Sequence, residues 1–390
     1  MTATLTAAAA ATAAGSSEPG ARRSRAVGAA WLVGAFALSL VFTVQFFRYG
    51  DEWWHIALGR LILSGGIPAS EPFSFVPTQH PWVEQQWLYE VTLAVLVRIG
   101  GDGLASLALG LVGSLALLLA AISVPRSARV PRGWSAAAFI LGTLMAGMAL
   151  GVRAETVSAL GVAATLLVVR RWRDGSRRAV WLLPPIYLLW ANLHAGFVAG
   201  LAVLAITLLI HRPRLARTRT AALSETTSLA VIAVLAAAGA VVGGLVAGAA
   251  ALVALWALLR PVPVDPGVSR RPLLLASLAA TAVTLINPAG PAIYGYIAET
   301  FANPLLSQFV SEWQSPNFHD TLTRLIEVVA ALLPLLWILA RRVRVPDALL
   351  AAVFFLATLQ AVRNVSLFAV VSIPLLAEYG AAAWAVRAPD

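Results

Sequence analysis

Long apolar runs, separated by short connections that carry arginine, dominate the chain. The first, Val27 to Phe47, holds about 20 residues, enough for a helix to span the ~30 Å hydrocarbon core of a bilayer. Further runs lie near 85–99, 104–123, 134–151, 154–169, 179–193, 195–210, 228–259, 272–288, 325–340, 346–361 and 365–385. The stretch 228–259 is too long for one crossing. It contains Gly239-x-x-x-Gly243 and Gly244-x-x-x-Gly248, so it reads as a helical hairpin or as one tilted, tightly packed helix. The pattern predicts an all-α fold, a polytopic transmembrane bundle of about 11–13 helices over 26–386. The first 25 residues, alanine-rich and low in complexity, predict a disordered tail. Phe46-Phe47-Arg48 follows the first run where a signal peptide would have a small-residue cleavage site, so the run reads as an uncleaved helix.

Composition sharpens the membrane reading. The chain has 390 residues, 59% hydrophobic and 12% charged, where a soluble domain carries about a quarter charged residues. Its net charge of +10 is scattered over the connections, a pattern that suits membrane orientation and not a nucleic-acid surface. Cysteine is absent, which excludes disulfides, thiolate nucleophiles and Cys-ligated metals. With the N-terminus inside, the inner segments are 124–133, 170–178, 211–227, 260–271, 341–347 and both termini; they hold 22 of the 28 arginines. Arg48, Arg60, Arg153, Arg324 and Arg363 fall outside, and Arg98 is ambiguous. This asymmetry predicts a multi-pass protein of the bacterial cytoplasmic membrane, with outer loops at 48–84 and 287–324. It also requires 228–259 to cross twice. One parity conflict remains: an odd number of crossings must join 48–84 to 124–133, yet two apolar runs lie between them. The short 85–99 run is therefore expected to be interfacial or re-entrant.

The threading collects the unusual polar residues on one side. Asp51, Glu52, His55, Trp82, Arg153, Asn192, His194 and Arg363 all land at the outer face or just within it, where polar groups are expensive and are paired or functional. The stretch "DEWWHIALGRLILS" predicts a helix over 51–64, stopped by Gly65-Gly66 and Pro68. Trp54, Leu58 and Leu61 form an apolar stripe fit for the membrane surface, with Asp51 and His55 on the opposite side. Spacing alone reads Asp51 as the helix cap and Glu52 as a complement to the helix dipole. The competing reading makes them a general base, or a carboxylate pair holding a divalent cation such as Mg or Mn. Arg153 and Arg363 interrupt apolar runs and are either phosphate ligands or members of an Arg153–Glu155 or interhelical ion pair. Asn192 and His194, in "WANLHAGF", read as helix-packing hydrogen bonders or as ligands. Trp82, in "QHPWVEQQW", reads as an interfacial anchor or a sugar-stacking surface. P-loop, dinucleotide-binding, zinc-finger-type and nucleophile-elbow patterns do not occur.

A first outer loop that opens with adjacent acids and continues as a helix to a Gly-rich stop resembles the GT-C superfamily, polytopic glycosyltransferases that use polyprenyl-phosphate sugars. The segments "GGIPASEPFSFVPTQHPWVEQQWLYEV", "LPPIYLLWANLHAGFVAGL", "LINPAGPAIYGYI" and "SEWQSP" resemble an uncharacterised bacterial branch of it, and the similarity runs over most of 27–385. The resemblance implies transfer of a sugar from a polyprenyl-phosphate donor to an extracytoplasmic glycan, lipid or protein acceptor, with no nucleic-acid partner. It implies Asp51 as base, Glu52 and His55 orienting it or binding metal, and Arg153 and Arg363 holding phosphate. Arg60, Trp82, Asn192 and His194 are further substrate-binding candidates. Many superfamily members carry a C-terminal extracytoplasmic domain; this sequence ends at its last apolar run, so acceptor recognition is expected from the loops. The alternatives are a transporter or flippase of a lipid-linked substrate, and a catalytically inactive scaffold in cell-envelope assembly.

Overall fold

The structure is a computed structural model, which describes residues 18–47, 50–75, 82–125, 128, 130–210 and 269–387. All regular structure among these residues is helical. In chain order the helices are α1 (Glu18–Thr43), α2 (Asp51–Gly65), α3 (Trp87–Ala121), α4 (Arg132–Ala146), α5 (Ala154–Arg173), α6 (Leu183–Leu193) and α7 (Phe197–Ile210). They continue as α8 (Arg270–Val283), α9 (Ala292–Ala302), α10 (Pro304–Phe309), α11 (Arg324–Leu339), α12 (Val345–Gln360) and α13 (Val365–Ala385). Short 3₁₀ turns occupy Ala179–Leu182, Ser311–Trp313 and Val362–Asn364. The segment 228–259, with its glycine pairs, and His80 lie outside the described residues.

Among the described residues, two helices are long and apolar enough to cross a membrane, Trp87–Ala121 and the continuous Val362–Ala385. The second is apolar on all sides, and such a helix belongs inside a bundle. Accordingly α13 is buried along almost its whole length and packs against α4, α5, α11 and α12. Its Phe368, Val370, Ile373 and Tyr379 join Phe139, Trp172, Tyr187 and Trp190 in the main core.

Two expectations are corrected. Helix α1 begins at Glu18, so helix reaches back into the stretch 1–25 that composition marks as a disordered tail. The apolar runs 85–99 and 104–123 are one element, α3, broken at Gly100 and Gly101. Gly101 has φ 67° and ψ −168°, a conformation that only a residue without a side chain adopts readily, so the break sits where the sequence supplies glycine. The half before the break carries α2; the half after it takes the end of α1, where Thr43 Oγ1 donates to the Gly110 carbonyl at 2.8 Å.

Charge collects in two places. Arg153 stands just before α5 and Arg170 near its end, about 26 Å apart at 1.5 Å per residue. Arg170, Arg173, Arg344, Asp347 and Glu378 form one cluster. There Arg344 Nε donates to Asp347 Oδ2 at 2.7 Å, Tyr379 donates to the same oxygen at 2.8 Å, and Arg173 lies 3.6 Å from Asp347 Oδ1. Arg153, Glu155, Glu312 and Arg363 form the other.

Candidate functional site

Helix α2 begins at Asp51, and the residue before it, Gly50, holds the cap position in a left-handed conformation with no side-chain cap. Asp51 is therefore not the cap that spacing alone suggests. It lies exposed in the first turn, where a carboxylate complements the helix dipole. The face that turns inward is Glu52, His55, Ile56 and Gly59, spaced at i, i+3, i+4 and i+7. Leu58 is also buried, while Trp54 and Leu61 lie at the exposed margin. Gly59 is the point of closest approach: a Cβ there would strike the Glu90 carbonyl and stand 2.8 Å from the Ala94 Cβ.

Across this contact lies a polar cluster. His55 Nδ1 faces Glu90 Oε1 at 2.8 Å, and Gln86 Nε2 donates to the same oxygen at 2.8 Å. The other oxygen, Oε2, is buried without a hydrogen-bond partner among the described residues. Glu84 accepts from the Gln86 backbone N–H at 2.9 Å and from the Trp82 indole at 3.0 Å. Burial nevertheless pushes its carboxyl above the usual range. The Trp54 ring covers His55 at 3.8 Å, and Tyr89 meets His55 edge-on.

Arg153 and Arg363 are brought together, and they are closed into a ring. Arg153 pairs with Glu312 and, at 3.4 Å, with Glu155; Arg363 pairs with Glu155 and, at 3.0 Å, with Glu312. Two arginines and two carboxylates alternate. Trp313 stacks under the Arg363 guanidinium at 4.4 Å. The ring is assembled from three chain segments: the first turn of α5 and two 3₁₀ turns, the latter joined by a bond from the Val362 N–H to the Gln314 carbonyl at 2.9 Å. The Asp51 carboxylate is within electrostatic reach of Arg363, and Asp51, Glu52 and Arg153 all act on Tyr89.

Beside the ring opens a cavity of about 180 Å³, lined by Glu155, Ser158, His194, Trp313 and Arg363 among others. The Trp190 indole donates to Ser158 Oγ at 2.9 Å, and the Gly196 N–H donates to His194 Nδ1 at 3.2 Å. His194 Nδ1 thus acts as an acceptor, also from the Ser158 hydroxyl at 2.6 Å, which leaves Nε2–H as its donor. Ser366 Oγ, buried and unpartnered, belongs to the same lining. A second cavity, about 650 Å³, lies under Trp54, Trp82, Glu84 and Glu90. Gln85 and Tyr296 line both cavities, and Gln85 Nε2 donates to the Tyr296 hydroxyl at 3.2 Å, so the two chambers share a wall.

No family model, curated protein or solved structure matches this chain. The geometry of the site is what any functional reading has to rest on.

The remaining sequence candidates separate. Trp82 lines the larger cavity and His194 the smaller. Asn192 is taken up in packing: it accepts from the Trp87 indole at 2.7 Å and donates to the Leu188 and Ile286 carbonyls, both at 2.8 Å. Arg60 is exposed on α2 and lines neither cavity. Glu90, Gln86 and Tyr296 are members of the site that sequence reasoning passed over; Glu90 was visible as the one acid in the run 85–99. For a divalent cation, no three His, Asp or Glu side chains among the described residues form a ligand set. Asp51 is exposed and Glu52 buried, so the pair does not present two oxygens to one ion in the way a carboxylate–Mg site requires.

Proposed function

We propose that this chain is a multi-pass membrane glycosyltransferase, GT-C-like in architecture, that moves a sugar from a polyprenyl-phosphate donor to an extracytoplasmic acceptor. The observation that carries the reading is the meeting of Arg153 and Arg363, from positions far apart in the chain, in a ring beside a cavity that Arg363 lines, with the Asp51 carboxylate within electrostatic reach of Arg363. The charge layout supports the membrane orientation. The clusters at the two ends of α5 are separated by about the thickness of a hydrocarbon core. The end with three arginines to two acids lies among the segments assigned to the inside by arginine asymmetry. A break at Gly100-Gly101 that laid the first half of α3 along the surface would leave one crossing there and resolve the parity conflict.

In this reaction the acceptor hydroxyl gives its proton to Asp51 as its oxygen attacks the anomeric carbon. The bond from that carbon to the phosphate oxygen breaks, and the lipid phosphate leaves with the bonding electrons. Arginine suits the developing charge because its planar fork matches phosphate oxygens. In the closed ring each guanidinium is already held by two carboxylates, so a phosphate competes with them for the arginine charge. Of the two carboxylates, Glu312 sits on a three-residue 3₁₀ turn and Glu155 on the 20-residue helix α5.

Asp51→Asn tests the reading. Asn keeps the shape but takes no proton, so transfer from a polyprenyl-phosphate donor is expected to fall by about two to four orders of magnitude with expression and donor binding unchanged. Because Gly50 caps α2, little stability should be lost. Full restoration of the glycan or glycolipid profile of a deletion strain by Asp51→Asn would remove the base from the mechanism. The neutral ring favours one rival, an inactive scaffold, and that rival predicts full restoration.

A further inference from the structure

The larger cavity has a chemistry different from that of the smaller one. Its walls carry Trp54, Trp82, Glu71, Glu84, Glu90 and Glu299, and no Arg or His among the described residues lines it. A volume of about 650 Å³ falls within the ~300–1,000 Å³ of ordinary ligand pockets. Two of the carboxylates are spoken for. Glu84 accepts on both oxygens, and Glu71 Oε1 accepts from the Phe73 N–H at 2.8 Å. Glu90 is the exception. It is fully buried, its Oε1 is held by His55 and Gln86, and its Oε2 has no donor among the described residues. A buried carboxylate oxygen without a donor is costly, about 1–3 kcal/mol or more, and the cost is relieved if the occupant of the cavity brings the donor. Glu299 adds charge at the exposed rim, and the half-exposed Trp54 offers an aromatic face.

We propose that this cavity binds a primary ammonium group, presented either by an amino sugar or by an ethanolamine-type lipid headgroup. An ammonium supplies what each observation asks for. It brings an N–H donor for Glu90 Oε2, positive charge for a concave site whose ionisable lining among the described residues is mainly carboxylate, and a cation for the tryptophan faces. A neutral hydroxyl satisfies only the first of these. In the transferase reading, on which this role rests, the cavity is the acceptor chamber, separated from the arginine ring by Gln85 and Tyr296. The binding itself can be measured without any transfer reaction.

The experiment is calorimetric titration of the full chain in detergent micelles with glucosamine and, separately, with N-acetylglucosamine, which keeps the ring but loses the ammonium. In parallel, native mass spectrometry compares retained phosphatidylethanolamine with phosphatidylcholine. Saturable binding of glucosamine with none of N-acetylglucosamine identifies the amino-sugar source. Selective retention of phosphatidylethanolamine identifies the lipid source. Glu90→Gln is expected to weaken the binding seen by about tenfold or more, the loss of a charge-assisted bond. Glu299→Gln, at the exposed rim, gives a second reading independent of folding and should weaken binding several-fold and reduce its salt dependence. Equal binding of glucosamine and N-acetylglucosamine, or no preference in either arm, overturns the proposal. Binding lost with transfer intact counts against this site alone. Transfer absent with binding intact counts against the transferase reading alone.

Discussion

Glu84 is the residue whose environment makes the clearest demand on pH. Its folded-state pKa stands above the ordinary 4.5 because burial outweighs the bonds from Gln86 and Trp82 and the attraction of His55. A carboxyl with a raised folded pKa favours folding while protonated. Its contribution is complete below 4.5 and is lost as pH rises through the raised value. Thermal unfolding in detergent should therefore show stability falling over that window, and Glu84→Gln, neutral at every pH, should flatten the slope; an unchanged slope would assign it to other groups. The ring makes a second demand. Arg363→Gln leaves Glu155 and Glu312 facing each other with half their cationic partners. Breaking a buried pair from one side costs about 3–5 kcal/mol, and the partial exposure of these side chains places the expected loss below that. The double change Arg363→Gln, Glu312→Gln should recover part of it. Strict additivity in the double-mutant cycle would show that the two are not coupled.

At the level of elements, the apolar runs were legible and their partners were not. The run boundaries near 154–169, 179–193, 325–340, 346–361 and 365–385 fall within a few residues of the helices, because apolar length and Gly or Pro stops act locally. The helix over 51–64 was legible for the same reason. Which face of α2 packs on α3 was not: the sequence assigned Trp54, Leu58 and Leu61 to the membrane surface and did not mark Glu52, His55, Ile56 and Gly59 as the face that turns inward. That choice depends on Gln86 and Glu90, more than thirty residues away in sequence. The arginine ring was legible in part: the Arg153–Glu155 pair is local in sequence, whereas Arg153 meets Glu312 only through folding. Gly59 is where the α2–α3 contact can be tested. Gly59→Ala would force the helices apart beside Glu90, with an expected loss of about 1–3 kcal/mol. A thermal midpoint equal to wild type would show that the approach is looser than the structure has it.

For the whole molecule, the sidedness proposal rests on two charge clusters of different balance at opposite ends of α5 and α13. The absence of cysteine makes the test clean. A cysteine introduced at Glu71 should react with an impermeant maleimide in intact cells, and one at Asp174, beside the arginine-rich cluster, only after permeabilisation. The reverse result would invert the topology and move the proposed chemistry to the cytoplasmic side.

The two cavities share Gln85 and Tyr296, and the hydrogen bond between these side chains, 3.2 Å from Gln85 Nε2 to the Tyr296 hydroxyl, lies in the wall between them. A change at either residue therefore reshapes both chambers at once: the wall is common property, and neither chamber can be altered there alone.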